Sequence, residues 1–383
     1  MAHPNYSCAI HNPMTTTNPK LVEQALDFLR NITKKDKIAI VHDTDPDGIC
    51  SAVIVAKFIE RYRGKKIEIH MPLNRKMHGF TDDMFTQFKQ ANITKIITTD
   101  FPAGEHKEML QKFSKKFPIL VIDHHRVYLD KPMDNVILYN PHLFSTIEPA
   151  RYCTGKLAYD LISQITNISD LDWVAATASI ADIAHQPWMH WIKQTFEKYN
   201  YEFKEELFKT TIGDVAITIS STEVYDEKLV NDCFNLLYDA KTPQEFTNSK
   251  LKKYREIIDK EIYKHLDNFE KNAERYNDLL IYSLESKYRV KSPIATILGQ
   301  KYKNKTIILI SENKETKTIS VSARRSDKKI DTGKLLETTI KNFKDSTGGG
   351  HPAASAAIFP AKYLGEFKQL LIKEYQNEKT KTT

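Results

Sequence analysis

Three carboxylates alternate along His42-Asp43-Thr44-Asp45-Pro46-Asp47-Gly48, and a second acidic and imidazole cluster, Asp123-His124-His125, stands further along the chain. Each follows a short apolar run, Lys37-Ile38-Ala39-Ile40-Val41 in the first case and Ile119-Leu120-Val121-Ile122 in the second. Hard divalent cations such as Mn²⁺ and Mg²⁺ take carboxylate and imidazole ligands, and a binuclear site needs several of them converging from different strand ends. The pattern points to two-metal phosphoester chemistry.

Positioning such groups requires a sheet. Residues 38–41, 67–71, 95–99, 119–122 and 136–139 read as buried strands, alternating with amphipathic helical stretches at 50–61, 81–90 and 106–117. That alternation predicts a parallel sheet with helices on both faces over residues 1–190, in which ligands bind beyond the carboxyl ends of the strands. Asp43, Asp45 and Asp47 fall after the first strand, Asp100 after the third and the Asp-His-His triplet after the fourth. Asp182 ends the small-residue run Trp173-Val174-Ala175-Ala176-Thr177-Ala178-Ser179-Ile180-Ala181, where a charge is costly unless paired, and a metal would pair it.

Residues 191–290 read as a charged helical connector. Thr242-Pro243-Gln244-Glu245 has the form of a capped helix start. Leu251, Tyr254, Ile258, Ile262, Leu266, Phe269, Ala273, Tyr276 and Leu280 trace one face of a long helix. A smaller α/β unit follows over 291–376, with paired strands at 306–310 and 318–323, a helix at 332–343, a strand at 353–359 and a closing helix at 363–375. The polar tail 377–383 is expected to fray. Within this unit Gly348, Gly349, Gly350 and His351 form a segment whose backbone N–H groups can converge on one anion, a nest for phosphate. His351 would donate to it, and Arg324 or Arg325 would clamp a second oxygen.

Composition sets wider bounds. At 383 residues, 41% apolar and 27% charged, the chain suits two or three folded domains. The 56 Lys and Arg against 49 Asp and Glu give a net charge of +7, compatible with a polyanionic partner. Cys8, Cys50, Cys153 and Cys233 show no CxxC spacing, which argues against structural zinc or a disulfide framework and fits a reducing cytoplasm. The amino terminus lacks an apolar core of signal-peptide length, and no stretch reaches a membrane span.

Together these residues resemble the DHH superfamily of phosphoesterases with its DHH-associated domain: DTDPDG near the start, Asp100, Asp123-His124-His125, Asp182 within ATASIAD, and GGGHPAASAA near the end. The likeness is to the RecJ-like branch, including its archaeal members. The DxDxDG form supports this, as does the segment Met71-Pro72-Leu73-Asn74-Arg75 followed by His78-Gly79-Phe80. The resemblance implies two α/β domains joined by a long helical connector, with the active site in the cleft between them. It implies two divalent metal ions, Mn²⁺ before Mg²⁺. Asp100 would bridge them, with Asp43 and Asp45 on one and Asp47, His124 and Asp182 on the other. His42 remains an alternative to Asp43.

By the same resemblance, Asp123 would orient the imidazole of its neighbour, and His125 would face the scissile phosphate. Arg75, Arg324, Gly348, Gly349, Gly350 and His351 would hold substrate. The implied activity is exonucleolytic hydrolysis of single-stranded DNA or RNA to nucleoside monophosphates by two-metal activation of water, with replication or repair proteins as further partners. The alternatives are a phosphodiesterase of short oligonucleotides, cyclic dinucleotides or phosphoadenosine phosphate, and a replisome-associated binding protein with little activity.

Overall fold

The computed structural model describes residues 16–73 and 79–382; Arg75 lies outside the described residues. The chain divides into two compact units, Met1–Arg255 and Glu256–Thr383. The first begins α1 (Pro19–Arg30), β1 (Ile38–His42), α2 (Pro46–Arg63), β2 (Ile69–Pro72), α3 (Asp82–Gln90), β3 (Lys95–Thr99), α4 (Lys107–Ser114), β4 (Ile119–Ile122) and β5 (Val136–Tyr139). The five strands form one sheet in the order β2-β1-β3-β4-β5, and every pairing is parallel. Their apolar runs are continuous because both faces are covered. Ile38, Ile40, Leu120 and Ile122 enter one core, whereas Ala39, Val41, Ile119 and Val121 enter a second with Phe80, Phe88 and Phe113.

The connections make the site. After β1 the chain turns into α2, on the first of these cores, whereas after β3 it passes towards α4 on the opposite face. Adjacent strands whose continuations diverge leave a crevice at their carboxyl ends, and β1 and β3 are such a pair. The turn from β1 into α2 is set by Asp45, which caps α2 by accepting the Gly48 N–H at 2.9 Å, with Pro46 in the first helical position. A Cβ at Gly48 would lie 2.6 Å from the Asp43 carbonyl oxygen, so only glycine lets the chain double back there.

Next come α5 (Thr154–Ser163), α6 (Asp172–Ala181), α7 (Met189–Lys198), α8 (Thr211–Tyr225), α9 (Val230–Asp239) and α10 (Pro243–Thr247). Residues 191–251, expected as the first part of a connector, bury Ile192, Phe196, Val215, Ile219, Phe234, Phe246 and Leu251 in the core of the first unit.

The long helix α11 (Lys252–Asn272) is shorter than its apolar stripe predicts. Ala273, Tyr276 and Leu280 keep the helical spacing, yet β6 (Glu274–Tyr276) and β7 (Leu279–Ser283) form an antiparallel hairpin, turned at Asn277 with φ 58°. The run Leu279-Leu280-Ile281-Tyr282 behind an Asn-Asp turn was the strand signal; sheet burial overrides the helical period. The second unit continues with α12 (Lys291–Lys301), β8 (Thr306–Asn313), β9 (Thr318–Arg324), α13 (Thr332–Ile340), β10 (Thr347–His351), β11 (Ala354–Pro360) and α14 (Leu364–Thr382). Its sheet runs β10-β11-β9-β8-β7-β6, with β7 and β8 parallel and every other pair antiparallel. A parallel pair needs a crossover, and α12 supplies it.

Two local expectations are corrected here. The glycine triplet is no nest: Thr347–His351 is an edge strand, in antiparallel register with β11. Packing requires glycine at Gly350, while at Gly348 the close neighbour is the terminal methyl of Ile340. A Cβ at Gly348 would lie 2.7 Å from Ile340, and Gly350, with φ 140°, would set one 2.6 Å from the Ala354 carbonyl oxygen. The tail expected to fray continues as helix through Thr382, and Lys379 reaches Asp278 at 2.6 Å. No helix among the described residues is long and apolar enough to cross a membrane.

Candidate metal centre

The structure brings six sequence-predicted ligands together at the carboxyl end of the parallel sheet. Asp43, Asp45 and Asp100 form one group, and Asp47, His124 and Asp182 another; within each group the nearest side-chain oxygens and nitrogens all lie within 4.8 Å. Asp100 also groups with His124 and His125, so it stands between the two sets. The His124 Nε2 lies 3.3 Å from Asp182 Oδ2, 3.6 Å from Asp100 Oδ1 and 4.0 Å from Asp47 Oδ2. His42, the alternative to Asp43, is in neither group. It is fully buried, its Nδ1–H donates to the Asp43 carbonyl at 2.7 Å, and its ring stacks on Phe234. Burial pushes its imidazole down to about 3.

Backbone strain marks two of these positions. Asp100 has φ 58°, and Ile183, directly after Asp182, has φ 54°, a conformation that β-branched residues adopt rarely and at a cost. Asp182 itself closes α6, whose small residues allow tight packing: a Cβ on Gly155 of α5 would lie 2.4 Å from that of Ala178.

The groups that hold the ligands were largely missed by sequence reasoning. The first N–H groups of α5 fix Asp47, Thr154 N–H donating to Oδ2 and Gly155 N–H to Oδ1, each at 2.7 Å. The Thr154 hydroxyl donates to Asp100 Oδ1 at 2.9 Å, so one residue braces both groups. Its signal, a hydroxyl and a glycine opening a helix in Cys153-Thr154-Gly155-Lys156, is legible but common. The His124 Nδ1–H donates to the Pro149 carbonyl at 3.3 Å, which leaves Nε2 as the lone-pair nitrogen facing the carboxylates. Buried Glu223 of α8 accepts from the Thr44 hydroxyl at 3.1 Å, a further carboxylate that no motif announced.

Asp123 does orient an imidazole, but it is that of His125 rather than of adjacent His124. His125 Nδ1–H donates to Asp123 Oδ1 at 2.8 Å, while Asn140 Nδ2 donates to the His125 carbonyl at 2.9 Å and approaches Asp123 Oδ2 at 3.5 Å. Alternation after β4 explains it: residues two apart point the same way. Burial opposes protonation of His125, but the bond and charge of Asp123, with Asp182 and Asp45, carry its imidazole up to about 9.

The carboxylates themselves are forced the other way. Burial and then the charges of Asp47, Asp45, Asp182 and Asp43 hold the Asp100 carboxyl well above its usual range. Burial raises Asp45 and Asp47 as well, and raises Asp182 to about 6. Mutually repelling oxygens with one imidazole nitrogen among them form a donor set that hard divalent cations compensate, so the residues fit a metal centre.

The second unit separates Arg324 from Arg325. Arg325 is buried in fixed pairs with Asp327 at 2.6 Å and Asp278 at 3.0 Å. Arg324 is half-buried, and its hydrogen bond is to the Ala323 carbonyl of its own strand. His351 is exposed, and Gly349 pairs with Ala356, itself exposed, in the neighbouring strand.

Comparison with known proteins agrees with this architecture. Residues 37–185 match the DHH family, N-terminal domain, and residues 280–377 match the DHHA1 domain. A putative prophage-derived single-strand DNA-specific exonuclease of Bacillus subtilis, YorK, is 22% identical over 414 residues, covering 94% of this chain and 69% of the relative. The structure of exonuclease RecJ bound to manganese superposes with a TM-score of 0.66 at 16% identity, covering 92% of this chain and 94% of the other. A pGpG-specific phosphodiesterase from Vibrio cholerae gives 0.55 at 15% identity, covering 90% and 100%. The two domain matches in order, the RecJ-like fold and the clustered carboxylates and histidines make this chain a DHH-superfamily phosphoesterase carrying a DHHA1 domain.

Proposed function

We propose that the chain is a metal-dependent exonuclease that hydrolyses single-stranded nucleic acid to nucleoside monophosphates. The observation that carries the reading is the pair of carboxylate and imidazole groups meeting at Asp100, each of which could hold a divalent ion. When bound, such ions polarise a phosphoryl oxygen and lower the pKa of water. The chain's own residues do the rest. Asp43, Asp45 and Asp100 would hold one ion and Asp47, His124 and Asp182 the other, with Thr154 and the Pro149 carbonyl fixing their directions. His125, held by Asp123 through Nδ1, presents its exposed Nε2 edge to donate a proton to the leaving oxygen or to stabilise phosphate charge. In the second unit Arg324 and the His351 edge supply contacts for strand phosphates.

The likeness to YorK supports single strands as substrate, and the likeness to manganese-bound RecJ supports Mn²⁺ as the ion. Similarity to the pGpG-specific enzyme supports a second reading, hydrolysis of very short substrates by the same centre. End-labelled DNA and RNA strands from about two to about thirty nucleotides, incubated with Mn²⁺ or Mg²⁺, separate the two. Release of mononucleotides along the whole series is expected; activity confined to dinucleotides would establish the second reading instead.

A further inference from the structure

Lys291 opens α12 and packs over β9, where its ammonium hydrogen-bonds Ser320 Oγ. Arg324 lies on the same strand face as Ser320, two side-chain alternations along β9, and a Cβ at Gly299 of α12 would lie 3.0 Å from the Arg324 Cβ. Two cations therefore sit half-buried along one helix and strand. Burial and then the Arg324 charge bring the Lys291 ammonium down to about 8, and burial also pushes the Arg324 guanidinium down. Among the described residues no carboxylate pairs with either, although Arg325, next in sequence, has two. α12 begins without a side-chain cap, so its first N–H groups add positive potential on the same side.

Proteins seldom keep like charges half-buried and unpaired, because desolvation and repulsion both act against the fold. Beside Arg324 the sheet is low and open: Ala354 pairs with it, Ala356 is exposed and Gly349 follows in β10, whereas Ile358, opposite Ser320, stands exposed next to Lys291. Between His351 and Ile358 the small residues Ala354, Ala356 and Gly349 let an anion approach the cations and lie against the backbone.

We propose that Lys291 joins Arg324 in a phosphate seat on this open face of the second unit and is a substrate-binding residue. The seat takes a phosphate group of a nucleotide strand; this rests on the reading of the chain as a phosphodiesterase. Two donors of different geometry, a forked guanidinium and a point-charge ammonium, hold separate oxygens of one tetrahedral group.

The full chain in EDTA, with a fluorescein-labelled single strand of about twelve nucleotides, provides the test by fluorescence anisotropy at several salt concentrations. Lys291→Met should weaken binding about tenfold and reduce the slope of log affinity against log salt by about 0.7, whereas Lys291→Arg should stay near wild type. Added inorganic phosphate should raise the melting temperature of the wild type but not of Lys291→Met. Because the unpaired charge works against folding, Lys291→Met should itself melt no lower than wild type. Unchanged affinity and slope, or a variant that fails to fold, overturns the seat. If phosphate stabilises the wild type through Lys291 while no nucleic acid is cleaved, the seat stands and the exonuclease reading falls. Normal cleavage with no dependence of binding on Lys291 removes the seat alone.

Discussion

The two units carry opposite electrostatic problems on sheets of opposite construction. At the carboxyl end of the all-parallel sheet, Asp43, Asp45, Asp47, Asp100 and Asp182 gather, and burial and repulsion raise the carboxyls of Asp45, Asp47, Asp100 and Asp182. On the mixed sheet, Lys291 and Arg324 lie along one helix and strand with their cations pushed down. Among the described residues the imidazoles of His124 and His125 oppose the first cluster and no carboxylate pairs with either cation of the second; divalent cations would complete the first and phosphate the second. Arg325 shows what a structural charge looks like by contrast, buried and fully paired. Clustered like charges at a sheet end or open face are thus a better guide to function than charge alone.

The contrast breaks most sharply at Asp100. Asp100→Asn should lower Mn²⁺-dependent nucleotide release at least about 10³-fold, several kcal/mol of transition-state stabilisation, while melting no lower than wild type in EDTA because one repelling charge is gone. A variant that loses activity only by unfolding would turn that cluster into a structural one. The arginine dipeptide comes next. Arg325→Met should cost about 2 kcal/mol in urea unfolding by removing its charged hydrogen bonds to Asp327 and Asp278, the latter keeping Lys379, whereas Arg324→Met should leave unfolding nearly unchanged and weaken strand binding; equal effects would erase the distinction between the two residues.

A smaller effect sharpens the first unit. Thr154→Val removes the hydroxyl bond to Asp100 but keeps the N–H bond to Asp47, and should weaken Mn²⁺ binding about tenfold by titration, with Thr154→Ser restoring it. The smallest effects are in pH. Burial works to raise Asp278, but bonds from Lys379, Arg325 and Tyr375 hold it at about 2, below the ordinary 3.8. Its stabilisation is therefore present above the ordinary value and lost as pH falls through about 2, so Asp278→Asn should flatten the acid limb of the melting curve in that window. Lys291, which Arg324 and Ser320 face from β9, has the opposite sign: its folded ammonium is depressed from 10.5 to about 8. The unfolded chain binds the extra proton between those values, so stability rises with pH there in wild type and not in Lys291→Met.

The metal centre was legible because its residues carry their chemistry in their identity and follow strands that are apolar throughout. Buried parallel strands must read as continuous apolar runs, and their ends are where a doubly wound sheet opens. The glycine segment was legible as a motif but not as a conformation. A run of glycine is consistent with a turn, a nest or a strand, and only its antiparallel pairing with β11 decides for a strand. The long helix was overextended because a period of three and four persisted by chance into β6 and β7, where pairing with β8 outweighs local preference.

By itself, then, the sequence determined the parallel α/β sheet, the ligand types and the order in which they occur, since composition and periodicity are local properties. Tertiary structure alone decided which imidazole Asp123 holds, that Thr154 braces both ligand groups, that Glu223 from a distant helix accepts from Thr44 and that, among the described residues, Arg325 has carboxylate partners and Arg324 has none. Those facts depend on which side chains meet across large separations in the chain, and a hydrogen bond or an ion pair is defined by ångströms of distance that no local pattern encodes.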